Sequence, residues 1–220
     1  PYYKHLGVTS LERLFHENEL PDGLFTSSEW TRGRGIMHSH ETCDAIDMSW
    51  TLGYYLEILK EAKYADMLEK IVFNAGMGSV ANDFKSLQYY SSVNQFICTG
   101  TSNHNKDNYC STWMAYRPTH QTECCAGQIH RLMPNYVARM WLRSKDGVVA
   151  ALYGPSQFKY SDDLTLIQET SYPYDERVTI RVEAEKAKKF ALHLRIPTWC
   201  EGASLSVNGK VVDEALEAGS

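Results

Sequence analysis

The chain has 220 residues, a length for one large domain or two small ones. Its 43% apolar and 22% charged content is that of an ordinary soluble globular fold. A net charge of −5 without a Lys/Arg cluster argues against a nucleic-acid or anionic-membrane surface, and no apolar run reaches the ~18 residues of a membrane span. No signal peptide stands at the start. The chain opens at Pro1 without a methionine, so a longer native protein is expected.

Apolar spacing is helical through most of the first two thirds. A short helix is expected around Leu11–His16, before Pro21. Ala45, Met48, Leu52, Leu56 and Leu59 recur at three- and four-residue intervals and make one buried stripe. Tyr64 to Ala75 repeats the pattern through Leu68, Ile71 and Val72. A third helix is predicted from Gln128 to Arg143, with Ile129, Leu132, Met133, Tyr136, Val137 and Met140 inward. Between Asn82 and Gln121, Asn, Ser, Thr and Gly dominate, with short extended pieces such as Leu87–Ser91. So long a connection in a compact protein usually serves function. After Asp146 the period becomes two. Val178, Ile180 and Val182 alternate with Thr179 and Arg181, and Phe190, Leu192, Leu194 and Ile196 alternate with Ala191, His193 and Arg195. Asn208-Gly209 is a hairpin signal. The expectation is a helical domain over residues 1–146 and an antiparallel β domain over 147–220.

Six cysteines, Cys43, Cys98, Cys110, Cys124, Cys125 and Cys200, are irregularly spaced in a chain too large to need staples. Reduced thiols or a metal site are expected rather than disulfides, and reduced thiols favour a cytoplasmic setting. Glu41-Thr42-Cys43 stands just before the first strong helix, where unpaired N–H groups and the positive dipole end favour carboxylate and thiolate. Taken alone, Glu41 and Cys43 read as a first-turn acid and a small buried side chain. Cys124-Cys125 also precedes a helix. One carboxylate and three thiolates together make a set of four that suits tetrahedral zinc, although the spacing is not that of a zinc finger. A metal site and two pairs of structural residues stand about level on these grounds.

Ser28-Glu29-Trp30 followed by His40-Glu41-Thr42-Cys43-Asp44 resembles the bacterial β-L-arabinofuranosidases of glycoside hydrolase family 127. So do Tyr90-Ser91-Ser92-Val93-Asn94-Gln95 with Ser102-Asn103-His104, and Glu123-Cys124-Cys125-Ala126-Gly127 running into Met133-Pro134-Asn135-Tyr136. Leu152 to Ser156 and Leu194 to Trp199 resemble the family's β domain. These blocks follow the family's order and cover nearly the whole chain.

The resemblance implies the second half of an (α/α)6 barrel followed by an antiparallel β-sandwich domain. It implies Zn2+ on Glu41, Cys43, Cys124 and Cys125, with Cys124 the nucleophile and Glu29 the general acid/base of a retaining glycosidase that releases L-arabinofuranose. Gln128, where relatives commonly carry Asn, removes no ligand. Independently of the family, zinc holds a coordinating thiol deprotonated and makes it a better leaving group, and the two-step scheme then runs with sulfur in place of the usual carboxylate. Trp30 is expected to wall Glu29. Thr42, Tyr90 and His104 are candidates for substrate contact; Tyr89 and Tyr90 are candidates for stacking on a sugar, although most aromatics of this kind are core. His38 and His40 are candidates for sugar contact or for supporting the ligands, and Asp22 and Asp44 are alternatives to Glu29. The expected partner is an oligosaccharide or glycoside, not nucleic acid or membrane, and homo-oligomerisation through the β domain stays open. The competing readings are a glycosidase for another plant or pectic sugar, a non-catalytic module around a structural zinc, and a cysteine hydrolase using Cys124 with His104 or His130. The chain alone is expected to be inactive, because much of the sugar pocket would come from a preceding half-barrel.

Overall fold

The computed structural model describes residues 2–95, 97–100, 113–120 and 123–220. His104, Cys110 and the Ser102-Asn103 part of the loop motif lie outside the described residues. The elements run in chain order as α1 (Tyr2–Asn18), β1 (His40–Glu41), α2 (Thr42–Leu59), α3 (Ala62–Lys70), a π-helical turn at Ile71–Gly76, β2 (Tyr90–Ser91), α4 (Cys124–Gln128), a 3-10 turn at Ile129–Arg131, and α5 (Leu132–Val137). There follow β3 (Trp141–Arg143), β4 (Gly147–Ala150), β5 (Ser156–Ser161), β6 (Leu164–Glu169), β7 (Thr179–Ala184), β8 (Ala191–Leu194), β9 (Ser206–Val207) and β10 (Lys210–Val211). The protein is thus mixed helix and sheet. Two compact units share the chain, one of Pro1–Thr51 with Met67–Met133, the other of Leu52–Asp66 with Pro134–Ser220. Among the described residues no helix is long and apolar enough to cross a membrane.

In the first unit, α1 turns Leu11 and Phe15 inward, one turn apart, and Phe15 meets Phe25 edge-on at 6.0 Å. The helix ends just before Pro21, as expected of a residue that cannot continue it. Buried Asn18 donates to the Leu14 carbonyl and accepts from the Gly33 amide, tying the following loop to the helix end. α2 follows from its apolar spacing, since Ala45, Ile46 and Leu52 are fully buried. Leu68, Ile71, Val72 and Ala75 form the buried stripe that the spacing predicts, although the helix loosens into a π turn at Ile71.

The expected third helix is shorter than its pattern. It breaks into α4, the 3-10 turn and α5, and ends at Val137. Trp141–Arg143 leaves the helix to pair antiparallel with Val148–Ala150, so a tertiary ladder outweighs a local 3.6-residue period there.

In the second unit, β5, β6 and β7 form an antiparallel sheet, with a register shift between Lys159 and Ser161. Leu164, Leu166 and Gln168 alternate inward along β6. Asn208 (φ 51°) and Gly209 (φ 77°) take the left-handed conformations of a type I′ turn between β9 and β10. Two expectations are corrected. The sheet β3–β4–β8 is not wholly antiparallel, because β4 and β8 run parallel. Arg195, which the period of two placed outward, is 5% exposed. β8 stops at Leu194, and the Arg195 guanidinium turns in to the Asp66 carboxylate and over the Tyr153 ring.

Candidate metal centre and active site

β1 runs straight into α2, so Glu41 and Cys43 leave the strand and enter the helix within three residues. The pairing of β1 with β2 sets His40 opposite Ser91 and Glu41 opposite Tyr90. Thr42 locks the junction, its amide donating to the Tyr89 carbonyl and its hydroxyl to the Gln88 carbonyl at 2.8 Å. With 1% of its surface exposed and its hydroxyl so engaged, Thr42 holds backbone and does not face a ligand. At the start of α4, Glu123 accepts from the Gly127 amide through its carbonyl and from the His120 amide through its side chain.

These two starts meet. One ligand atom from each of Glu41, Cys43, Cys124 and Cys125 lies within 4.8 Å of all the others. Cys43 Sγ is 3.2 Å from Cys125 Sγ, and Glu41 Oε1 is 3.4 Å from Cys124 Sγ and 3.5 Å from Cys125 Sγ. Burial is graded across the group: Cys43 and Cys125 are buried, whereas Cys124 is exposed. Cys43, Cys124, Cys125 and Cys200 carry free thiols.

The electrostatics follow from the crowding. The contact with Cys43, then burial, then the nearby Glu41 and Cys124 charges push the Cys125 thiol up. Burial pushes Cys124 up to about 11, against the lowering effect of its hydrogen bond with Tyr89. Three thiols and a carboxylate this close repel one another as anions, and a cation reverses that balance. Three soft sulfurs and one oxygen fit a tetrahedral ion of the zinc type.

Glu29 takes a positive φ of 74°, rare for a residue with a side chain. The chain doubles back there, with the Ser28 amide donating to the Trp30 carbonyl. The carboxylate accepts from the Tyr90 hydroxyl at 2.9 Å, and Tyr90 is fully buried opposite Glu41. Trp30 is 54% exposed with Arg32 stacked on its ring. Of the alternative acids, Asp22 is held 2.6 Å from His40 Nε2, whose Nδ1 lies 3.3 Å from Ser91 Oγ. Successive residues of a strand face opposite sides, so His40 and Ser91 look away from Glu41 and Tyr90. They line a cavity of about 400 Å3 with Asp22, Asn74, Gln88 and Tyr116. Asp44 accepts from Ser27 Oγ at 2.5 Å, and the same oxygen accepts from the Glu41 amide. Burial raises the Asp44 carboxyl to about 6, with Ser27 lowering it and Glu41 raising it.

The described partners of Cys124 are Tyr89, Glu41 and Cys43, not a histidine. His130 is exposed, and His38 sits in the turn made by Gly35. Tyr89 is a core aromatic, 3% exposed, and presents its hydroxyl to Cys124 Sγ at 3.1 Å. Its ring lies 4.3 Å from that of Trp113. Nothing in the spacing of Tyr89 and Tyr90 separates these roles. Ser27, which supports both Asp44 and Glu41, carries no sequence signal either.

Residues 25–138 match the family described as "Beta-L-arabinofuranosidase, GH127 catalytic domain", and residues 147–220 match "Beta-L-arabinofuranosidase, GH127 middle domain". The chain belongs to glycoside hydrolase family 127. It is 30% identical over 193 residues to a non-reducing end β-L-arabinofuranosidase of Bifidobacterium longum subsp. longum, an alignment covering 81% of this chain and 28% of that protein. Among solved structures, a GH127 β-L-arabinofuranosidase from Geobacillus stearothermophilus T6 superposes with a TM-score of 0.76 at 25% identity, over 92% of this chain and 33% of that one. A further GH127 β-arabinofuranosidase shares the fold with a TM-score of 0.71 at 21% identity, over 92% of this chain and 34% of that one. The family 127 chain described here therefore spans about a third or less of the length of these relatives.

Proposed function

We propose that this chain carries the reacting groups of a glycoside hydrolase that releases L-arabinofuranose from β-L-arabinofuranosides with retention. Cys124 is the nucleophile and Glu29 the general acid/base, with residues 1–146 as part of an (α/α)6 barrel and 147–220 as a β domain. The observation that carries the reading is the four-donor cluster, in which only Cys124 is exposed. The donors fit zinc, held by Glu41, Cys43, Cys124 and Cys125; bound there, it supplies the positive charge that keeps the thiols deprotonated.

The remaining chemistry belongs to the side chains. Cys124 Sγ, on the exposed side of the cluster, attacks the anomeric carbon. Glu29 protonates the departing glycosidic oxygen, then takes a proton from the incoming water. Tyr90 holds the Glu29 carboxyl at 2.9 Å and fixes its direction toward a bound sugar. The Asp44–Ser27 hydrogen bond holds the Ser27 oxygen under the Glu41 amide and so steadies a ligand-bearing backbone. Asp22, engaged with His40 behind the ribbon, takes no part in proton transfer.

The test uses the full-length protein, an aryl β-L-arabinofuranoside and a natural disaccharide. Cys124→Ser abolishes turnover of both. Glu29→Gln slows the disaccharide by about 10²–10⁴-fold, and slows glycosylation by the aryl substrate far less, because its leaving group needs no proton. Normal turnover by Cys124→Ser would remove Cys124 from the nucleophile's role, and equal slowing of both substrates in glycosylation would remove Glu29 from the acid's.

A further inference from the structure

We propose that the Tyr89 hydroxyl, by hydrogen bonding to Cys124 Sγ, serves the second half of the reaction, stabilising the sulfur as a leaving group. The inference rests on Cys124 being the nucleophile.

The contact is built rather than incidental. Tyr89 Oη lies 3.1 Å from Cys124 Sγ. The ring is clamped 4.3 Å from Trp113 and 4.9 Å from Tyr90. The Tyr89 amide donates to the Trp113 carbonyl, and its carbonyl accepts from the Thr42 amide at the start of α2. Tyr89 is 3% exposed, so its hydroxyl is aimed at the cluster and not at solvent. A thiolate has no proton to give and a phenol keeps its own at neutral pH. The hydroxyl is therefore the donor whenever Cys124 is ionised.

Such a bond has opposite effects on the two steps. In the first, the sulfur electron pair forms the C–S bond, the C–O bond breaks, and the departing oxygen takes its proton from Glu29. A donor on the sulfur withdraws charge and slows the attack. In the second, Glu29 takes a proton from water, the water oxygen bonds the anomeric carbon, and the C–S bond breaks with its pair returning to Cys124. A donor on the sulfur accepts the returning charge and speeds the step. Tyr89 keeps its proton throughout. A hydrogen bond made mainly to the charged form of the sulfur acts where that charge appears.

The test is Tyr89→Phe, which keeps the ring between Trp113 and Tyr90 and removes only the hydroxyl. With a p-nitrophenyl β-L-arabinofuranoside and full-length protein, kcat is expected to fall about tenfold, the order of one hydrogen bond to a charged group. kcat/KM, which reports the first step, is kept or rises. Intact-mass analysis during turnover shows a pentosyl adduct on the Cys124 peptide at higher occupancy than in the unaltered protein. In the cobalt(II)-loaded protein without substrate, the sulfur-to-metal charge-transfer band moves to lower energy, because the sulfur has lost a donor. Equal falls in kcat and kcat/KM, an unchanged adduct level, or an unmoved band would overturn the proposal. If Cys124→Ser is inactive while Tyr89→Phe behaves as the unaltered protein, the Tyr89 role alone fails. If Cys124→Ser retains turnover, the functional reading beneath it fails too.

Discussion

Cys43 Sγ lies 3.2 Å from Cys125 Sγ although 82 residues separate the two in the chain. The pair forms the buried floor of the cluster and joins the start of α2 to the start of α4. Removing either sulfur takes away a donor that no neighbour replaces. Cys43→Ala and Cys125→Ala are expected to lower zinc affinity by more than the 10–100-fold typical of residues that merely orient a ligand. Cys98→Ala and Cys200→Ala are expected to leave zinc stoichiometry unchanged. Competition with a chromophoric chelator measures both. In the unaltered protein, free zinc at 1,000 times its dissociation constant adds about 4 kcal/mol to unfolding, seen as a higher Tm than in chelator.

Asp44 provides a pH signature of the metal-free protein. Its folded carboxyl titrates at about 6, raised chiefly by burial, whereas an unfolded aspartate titrates near about 3.9. Between those values the folded state holds more protons than the unfolded one, so stability falls as pH rises through the window. The loss is complete above it and amounts to roughly 3 kcal/mol. Asp44→Asn removes that slope, and Ser27→Ala shifts the upper limb to higher pH because the Ser27 hydrogen bond favours the charged form. Urea unfolding in chelator at a series of pH values between 4 and 7 reads the slope directly.

Arg195 and Asp66 make a buried ion pair in the second unit, and Asp66 Oδ2 also accepts from the Thr198 amide at 2.9 Å. Asp66→Ala leaves a buried guanidinium without its counter-charge and a backbone amide without its acceptor. The expected cost is about 3–5 kcal/mol, measured by chemical denaturation. A double substitution of Asp66 and Arg195 by apolar residues is expected to recover part of it.

Where apolar period and burial agree, the fold was legible from sequence: α2 through Ala45 and Leu52, the buried stripe from Leu68 to Ala75, and the hairpin at Asn208-Gly209. The reading failed where distant chain supplies the deciding partner. Trp141–Arg143 carries a helical period but has β4 to pair with, and Arg195 alternates outward by count but has Asp66 to meet. Parallel pairing of β4 with β8 leaves no local mark at all. The candidate site divides the same way. Residue type at element starts left Glu41, Cys43, Cys124 and Cys125 about level between ligands and structural residues; the family resemblance singled them out, and they are the four that converge. Tyr89 and Ser27 belong to ordinary residue types, and only the three-dimensional arrangement sets a hydroxyl against the sulfur and another beneath the Glu41 amide. Thr42 sits inside a conspicuous motif, yet its hydroxyl is used by the Gln88 carbonyl.

The most direct test of a metal centre on Glu41, Cys43, Cys124 and Cys125 is zinc K-edge X-ray absorption of the purified protein. The expected first shell is three sulfurs at about 2.3 Å and one oxygen at about 2.0–2.2 Å, falling to two sulfurs in Cys124→Ser. A shell of nitrogen and oxygen alone, or one unchanged by Cys124→Ser, would contradict it.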